Sequence, residues 1–264
     1  MTEKVLIASV DSRGVARLTM NRPDIRNAFN EELIGAITAA MEKLGKDEGV
    51  RAIVLTGAGK AFSAGADLSM MQRAAAYTAE ENKADARRLA GMLSAIYHSP
   101  KPTIALVNGP AMGGGLGLIA ACDIAIGADT AFFALSEARL GLIPAVISPF
   151  VIEAIGARQA RRYFVTGERF DAHVAKSIGL LHHVEPLGGL EAALDSLVTD
   201  LLACGPDAQE LAKELIRKVA GRPIDTNIMD VTAGMIAAAR ASDEGKEGVA
   251  SFLEKRKPNW AKDE

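Results

Sequence analysis

Two glycine-bearing loops carry the strongest chemical signal in the sequence. The first runs from Gly57 to Asp67 and the second from Asn108 to Gly115, each between a strand-like apolar segment and a helix-like one. Glycine lets a ligand approach the backbone amides closely, and helix N-termini present N–H donors without intrahelical partners. Either loop alone fits a simple chain turn equally well. Side by side, the two loops could direct two N–H groups at one oxygen that gains negative charge, as in an oxyanion hole.

Other glycine motifs fit these loops less well. The run from Gly113 to Gly117 lacks the last glycine of a dinucleotide-binding fingerprint, because residue 118 is leucine. Lys60 follows Gly59 but precedes alanine rather than serine or threonine, which disfavours a P-loop. Ser63 lies in A-F-S-A-G, which lacks the first glycine of the nucleophile elbow of serine hydrolases.

Composition and charge narrow the class of protein. The 264 residues are 49% hydrophobic and 24% charged with a formal net charge of -3, which predicts one or two folded domains and no surface for nucleic acid. The sequence contains no run of about 18 uncharged apolar residues, so no membrane span is predicted.

The four histidines and two cysteines lack metal-ligand spacing, so no metal site is expected. The amino terminus does not resemble a signal or transit peptide, and the few cysteines favour a reducing compartment, so a cytoplasmic location is expected.

The elements that must position the two loops alternate between strand and helix. Residues 5–10 and 15–20 predict a hairpin, Asn30 predicts the start of a helix ending near Gly45, and Thr78 with Glu81 predicts a capping box. Further strands are predicted at 52–56, 103–107, 124–126 and 130–134. This alternation favours an α/β fold with parallel strands. Beyond about residue 188 only helices are predicted, at 190–203, 207–219, 225–241 and 242–256, which divides the chain into a core of residues 1–188 and a helical module of residues 189–264.

Several longer motifs occur in an order that identifies a family. They are N-R-P and N-A-F within 21–29, A-F-S-A-G-A-D-L at 61–68, K-P, V-N-G and G-G-G within 101–115, C-D at 122–123, and E with G-L-I-P within 137–144. Together they resemble the crotonase family, the enoyl-CoA hydratases and isomerases. The resemblance implies a spiral of ββα units, a helical C-terminal module that mediates assembly as a homotrimer or dimer of trimers, and an acyl-CoA thioester as substrate. Coenzyme A is then part of the substrate, and no separate cofactor is expected.

The same resemblance assigns roles to individual residues. It implies that the amides of Ala66 and Gly114 bind the thioester oxygen and that Glu137 is the catalytic acid–base group. The implied contacts to coenzyme A are Arg26, Ala64, Ala66, Asp67, Leu68, Gly114, Phe252 and Lys255, of which Phe252 and Lys255 would come from a neighbouring subunit. From the residues alone, an exposed ion pair with Arg139 fits Glu137 better than a catalytic role does, and Lys255 fits a cation at a helix C-terminus equally well.

One departure from the family pattern leaves the reaction open. Family hydratases often use two glutamates; Glu137 matches the second, and Gly117 stands where the first would be. A hydratase (a carbon–oxygen lyase), a double-bond isomerase and a non-catalytic acyl-CoA-binding protein therefore remain possible. Segments 137–150, 160–170 and 252–260 are similar to bacterial methylglutaconyl-CoA and isohexenylglutaconyl-CoA hydratases, enzymes of branched-chain and terpenoid breakdown that can also carry glycine at this place. This finer resemblance favours the hydratase.

Overall fold

The strands of the computed structural model, which describes residues 4–261, form two sheets. They are β1 (Leu6–Val10), β2 (Val15–Met20), β3 (Ala52–Gly57), β4 (Thr103–Val107), β5 (Ala111–Met112), β6 (Ile124–Ala128), β7 (Phe132–Ala134), β8 (Arg169–Asp171) and β9 (His183–Glu185). The larger sheet has the order β1-β2-β3-β4-β6-β9 and the smaller one β5-β7-β8. β1 pairs with β2 in the predicted antiparallel hairpin, with Leu6 opposite Met20, and all later pairs of the larger sheet are parallel.

Helices connect the parallel strands and then form the C-terminal part of the chain. They are α1 (Glu31–Gly45), α2 (Leu68–Ala74), α3 (Ala79–Tyr97), α4 (Gly114–Ala121), α5 (Ser148–Thr166), α6 (Ala172–Ser177), α7 (Leu190–Ala203), α8 (Pro206–Val219), α9 (Thr226–Ala241) and α10 (Asp243–Glu254). The predicted caps are confirmed, because Asn30 accepts a hydrogen bond from Leu33 N and Thr78 forms a reciprocal capping box with Glu81. None of the helices in residues 4–261 is long and apolar enough to cross a membrane.

The parallel strands bring the two glycine-bearing loops together. The first loop follows the carboxyl end of β3 and the second follows β4, which is its direct neighbour in the sheet. The carboxyl ends of parallel strands share one edge of a sheet, where open α/β folds commonly bind ligands. Ser63 of the first loop forms a parallel bridge with Ala111 of the second. The α/β architecture predicted from the sequence is therefore confirmed, and it places both loops at one site.

The C-terminal helices contact the amino ends of strands in the larger sheet. Lys213 of α8 forms an ion pair with Asp123, directly before β6, at 2.5 Å, and donates a hydrogen bond to Lys101 O near the start of β4. Arg51, directly before β3, donates hydrogen bonds to Cys204 O and Trp260 O. This module therefore touches the amino ends of the strands, whereas the glycine-bearing loops extend from their carboxyl ends. The domain boundary near residue 188 stays a prediction.

Candidate active site

The segment before α1 holds the first loop by a ladder of backbone hydrogen bonds. Ala64 N donates to Arg26 O at 2.8 Å, Phe29 N to Gly65 O at 2.7 Å, and Asp67 N to Phe29 O at 2.9 Å. The bonds on either side of Ala66 both join Phe29, so the N–H of Ala66 itself is directed to the opposite side of the loop, as in a parallel β-bridge. Among residues 4–261, this N–H has no hydrogen-bond acceptor.

A buried asparagine supports the same loop from inside. Asn27 is fully buried in a left-handed conformation, with φ of 55°. Its side-chain amide donates to Ala58 O and Ala61 O, both at 2.9 Å, and its side-chain oxygen accepts from Arg22 N. The sequence analysis included Asn27 only as part of a motif. Its structural role could have been inferred from its place beside the apolar Ala28 and Phe29. A polar side chain that is buried with such neighbours needs hydrogen-bond partners inside the protein.

The second loop presents Gly114 at the first position of α4. The N–H of Gly113 donates to Ala134 O at 2.9 Å, whereas that of Gly114 has no acceptor within the described chain, as expected in the first turn of a helix. A side chain at residue 114 would place its Cβ 2.9 Å from the Phe29 ring, and one at Gly65 would place its Cβ 3.3 Å from Gly114 N. The two loops are therefore in direct contact at the amide of Gly114.

Ala66 and Gly114 both line one cavity of about 270 Å³. Its lining residues are Phe29, Ile34, Ala64, Gly65, Ala66, Met70, Met71, Leu89, Met112, Gly113, Gly114, Ser136, Glu137, Leu140, Leu142, Ile143, Pro144, Ala145, Val146 and Ile147. Among these residues, Ser136 and Glu137 contribute the polar side chains. A mostly apolar cavity with a few converging polar groups is typical of a small-molecule site.

Glu137 turns its carboxylate toward the second loop rather than toward a cation. Its Oε1 lies 3.0 Å from the position that a Cβ on Gly113 would occupy, and its buried Oε2 has no hydrogen-bond partner. Burial therefore raises the pKa of Glu137. No ion pair joins Glu137 to the exposed Arg139 among residues 4–261, so the surface interpretation of this residue is wrong.

The position of the missing glutamate is filled by another side chain. A Cβ on Gly117 would lie 2.4 Å from Cγ2 and 2.9 Å from Cβ of Ile147, which is 3% exposed. Ile147 lines the cavity directly before α5. A glutamate at residue 117 would therefore not fit without rearrangement, because the space that its side chain would enter is apolar and already occupied by Ile147.

Some of the residues expected to bind coenzyme A line the cavity, and others lie on the surface close to the first loop. Ala64, Ala66 and Gly114 line the cavity, and Leu68 is 76% exposed at the start of α2. The carboxylate of Asp67 is occupied by Arg22 at 2.8 Å and by Ser69 N at 2.9 Å. Arg26 is exposed, with a left-handed φ of 54°.

Neither Phe252 nor Lys255 is among the residues that line this cavity in their own chain. Phe252 is 82% exposed on α10, and Lys255 is the exposed residue that ends this helix. α10 packs on α8 and α9, in the module that contacts the amino ends of the strands. The two residues are therefore not brought to the cavity within one chain, and their predicted role in a neighbouring subunit stays a prediction.

Comparisons with known proteins agree on one family. The enoyl-CoA hydratase/isomerase family model matches residues 11–263. The structure of an enoyl-CoA hydratase from Shewanella pealeana is 43% identical with a TM-score of 0.94, covering 97% of this chain and 96% of that chain. The structure of AtuE from Pseudomonas aeruginosa is 37% identical with a TM-score of 0.93, covering 98% and 100% of the two chains. An enoyl-CoA hydratase of Alternaria alternata is 35% identical over 246 residues, which are 90% of this chain and 78% of that protein.

The chain therefore belongs to the enoyl-CoA hydratase/isomerase family, and its fold is that of the crotonases. Enzymes of this family act on acyl-CoA substrates. Within residues 4–261, no group of three or more His, Cys, Asp or Glu side chains could hold a metal ion.

Proposed function

We propose that this protein is a hydratase that adds water across the double bond of an α,β-unsaturated acyl-CoA thioester. The observation that carries the proposal is the meeting of three unpaired groups at one apolar cavity. They are the amides of Ala66 and Gly114 and the buried carboxylate of Glu137. Two donors and one acid–base group are what this addition requires.

The two amides act on the thioester oxygen. When the oxygen of water bonds to the β-carbon, the electrons of the double bond move through the α-carbon and make the thioester an enolate. The amides of Ala66 and Gly114 then bind an oxyanion more strongly than they bind the neutral carbonyl oxygen. A single donor of this kind lowers a barrier by about 2.7–4 kcal/mol.

Glu137 handles the proton in both halves of the reaction. Its carboxylate accepts a proton from the attacking water, and the resulting carboxylic acid gives a proton to the α-carbon, which completes the addition of H and OH. Burial raises the pKa of Glu137, which moves this group toward the range in which it can both accept and donate near neutral pH. The Ile147 side chain beside Gly117 supports a mechanism with a single carboxylate.

A second candidate, double-bond isomerisation, rests on the same single carboxylate. Moving a double bond requires one base that removes a proton from one carbon and returns it to another. Glu137 alone could perform this shuttle while the two amides hold the dienolate oxygen. Hydration differs in that it also requires a water molecule at the β-carbon.

The cavity lining also bears on the acyl group. Leu140, Leu142, Ile143, Val146 and Ile147 contribute apolar side chains to the wall from one stretch of chain, and no lining residue of the described chain is cationic. An apolar acyl group is therefore our first choice of substrate. A methylglutaconyl-CoA-like substrate carries a distal carboxylate, which would need a cation or donors from outside this lining.

We further propose that coenzyme A binds across subunits of a homotrimer or dimer of trimers. Arg26 and Leu68 are exposed beside the first loop, and Phe252 and Lys255 are exposed on the helical module. Their separation within one chain supports a site completed by Phe252 and Lys255 of a neighbouring copy.

A substrate panel tests the proposal. Crotonyl-CoA and methylglutaconyl-CoA are incubated with the enzyme in water enriched in oxygen-18, and the loss of the conjugated enoyl absorbance is followed. We expect absorbance loss with crotonyl-CoA and one oxygen-18 in the 3-hydroxyacyl product. A 3-enoyl-CoA is tested in parallel, and a gain of conjugated enoyl absorbance would report isomerisation. If this gain occurs and neither crotonyl-CoA nor methylglutaconyl-CoA yields an oxygen-18-labelled product, the enzyme is an isomerase rather than a hydratase. Binding of coenzyme A without either reaction would refute both.

A further inference from the structure

The Ala66 donor lies in a part of the chain that no helix or strand fixes. It stands between Gly65, whose φ is 82°, and Asp67, which caps α2. Catalytic donors act only when their direction is fixed before the reaction, because reorientation during the reaction costs free energy. The two Phe29 hydrogen bonds hold the residues on either side of Ala66, and a side-chain contact that ties Asp67 to the same segment would restrict the Ala66 N–H further.

One arginine provides such a contact. Arg22 donates through Nη2 to Asp67 Oδ2 at 2.8 Å and through Nη1 to the carbonyl oxygen of Ala28. The guanidinium thus joins the residue directly after Ala66 to the segment that carries the hydrogen-bond ladder. Asp67 accepts two further bonds from Ser69, through its amide and its hydroxyl, each at 2.9 Å.

The Arg22–Asp67 ion pair is shielded from solvent. The side chains are 17% and 13% exposed, whereas those of the Arg73–Glu31 pair, which joins α2 to α1, are 47% and 38% exposed. Exposed pairs contribute little, because water and salt screen them. Burial alone would raise the pKa of Asp67, but its hydrogen bonds to Ser69 and Arg22 lower it overall. The carboxylate is thus held charged at the end of the donor loop.

From these contacts we infer that Arg22 is a positioning residue, which orients the N–H of Ala66 toward the acyl oxygen by clamping Asp67 to Ala28. This inference rests on the proposed function, since it assumes that Ala66 is a donor to the thioester. Arg22 does not line the cavity, and it therefore acts through the loop rather than by touching substrate. Its loss should weaken transition-state binding more than ground-state binding.

The test compares Arg22→Gln and Arg22→Lys with Arg73→Gln, a matched loss of an arginine–carboxylate pair on α2. For Arg22→Gln we expect kcat with crotonyl-CoA to fall about ten- to a hundredfold, part of the loss expected for a deleted donor, with KM changed less than about threefold. Arg22→Lys should recover part of kcat, because one ammonium cannot replace the two-pronged contact. Arg73→Gln should match the wild type.

A spectroscopic readout separates positioning from a purely structural role. Butyryl-CoA carrying carbon-13 at the thioester carbonyl is saturated and does not react, and its carbonyl stretching frequency reports hydrogen bonding to the bound oxygen. We expect a downshift in the wild type and a smaller downshift in folded Arg22→Gln. If Arg22→Gln does not fold, as judged by circular dichroism, Asp67→Asn removes the charge and keeps acceptance from Ser69, and it should show the same smaller downshift.

The outcomes distinguish the two proposals. A wild-type downshift that persists unchanged in the Arg22 and Asp67 variants, with kcat also unchanged, would overturn the positioning role and leave the oxyanion site intact. A wild-type frequency equal to that of butyryl-CoA in water would overturn the oxyanion site itself. A downshift without any hydration of crotonyl-CoA would reject the proposed reaction but still test Arg22.

Discussion

Replacement of Gly117 by alanine tests whether an apolar side chain fills the position of the first of the two family glutamates, which this chain lacks. The new Cβ would lie 2.4 Å from Ile147 Cγ2, well inside the 3.4–4 Å of ordinary contact. Ile147 is buried and β-branched, so it has few rotamers with which to move away. Overpacking of this kind costs about 1–3 kcal/mol, offset by up to about 1 kcal/mol from the better helix propensity of alanine. With the full offset, the expected net loss of unfolding free energy is about 0–2 kcal/mol.

The chain offers a matched control for this change. Gly35 lies within α1, and a Cβ there would have no neighbour within 4 Å. Gly35→Ala should therefore show the propensity gain alone and stabilise the protein by about 0.5–1 kcal/mol. Urea unfolding, measured without ligand and at one protein concentration for all variants, gives both values.

A double-mutant cycle identifies the responsible contact. Ile147→Ala removes Cγ2 but keeps Cβ, which would lie 2.9 Å from the new Cβ, so adding Gly117→Ala in that background should cost less than it does in the wild-type protein. The coupling energy should lie in the range of about 0.5–3 kcal/mol expected for residues in contact. If Gly117→Ala stabilises the wild-type protein as much as Gly35→Ala does, the space beside Gly117 is open. The argument for a single carboxylate would then fail.

Three further predictions address the site. Glu137→Gln should lower kcat by about 10²- to 10⁴-fold and leave the affinity for coenzyme A unchanged, which steady-state kinetics and calorimetric titration measure; equal kcat values would move the acid–base role elsewhere. Burial raises the pKa of Glu137, so kcat/KM should rise with pH through a midpoint above the ordinary 4.5. The stability of the wild type relative to Glu137→Gln should fall as pH rises from 4.5 to that midpoint, because the folded state holds this proton more tightly than the unfolded state. The kcat/KM limb should be absent in Glu137→Gln, so a persisting limb would assign it to another group. Lys255→Gln should raise KM for crotonyl-CoA but not for its 3′-dephospho analogue, and equal effects on both would favour a role in ending α10.

The sequence predicted the elements whose signals are local. Asn30 and the pair Thr78 and Glu81 mark helix starts by hydrogen bonds that span three residues, and both are confirmed. Helical periodicity predicted the buried face of α1, in which Leu33 and Ile37 are fully buried. The C-terminal helices also lie within one or two residues of their predicted bounds, because Pro206 and the caps Asp225 and Ser242 carry the start signals.

Features that depend on distant residues could not be read in this way. No element was assigned to residues 148–166, where α5 bends at Gly156 with φ of 72°. The overlap that excludes a side chain at Gly117 joins residues 30 positions apart, from Gly117 to Ile147. The raised pKa of Glu137 likewise follows from its burial, with Oε2 lacking a hydrogen-bond partner among residues 4–261. The sequence does not reveal which side chains surround it in the folded chain. Local patterns therefore gave the position of the loops, whereas their chemistry follows from tertiary packing.

The glycines of the two loops act mainly by permitting close contact rather than by adding flexibility. A Cβ on Gly57 would lie 2.5 Å from Ala61 O, one on Gly109 2.3 Å from Lys60 O, and one on Gly115 2.7 Å from Ser63 O. In each case the obstacle is a backbone carbonyl, which cannot rotate away as a side chain can. The two loops are consequently packed backbone against backbone, and neither can turn without the other. Such packing limits the movement of both loops before any ligand binds and, together with the Arg22 contacts to Asp67 and Ala28, favours fixed directions for the Ala66 and Gly114 amides, the condition under which backbone donors are most effective.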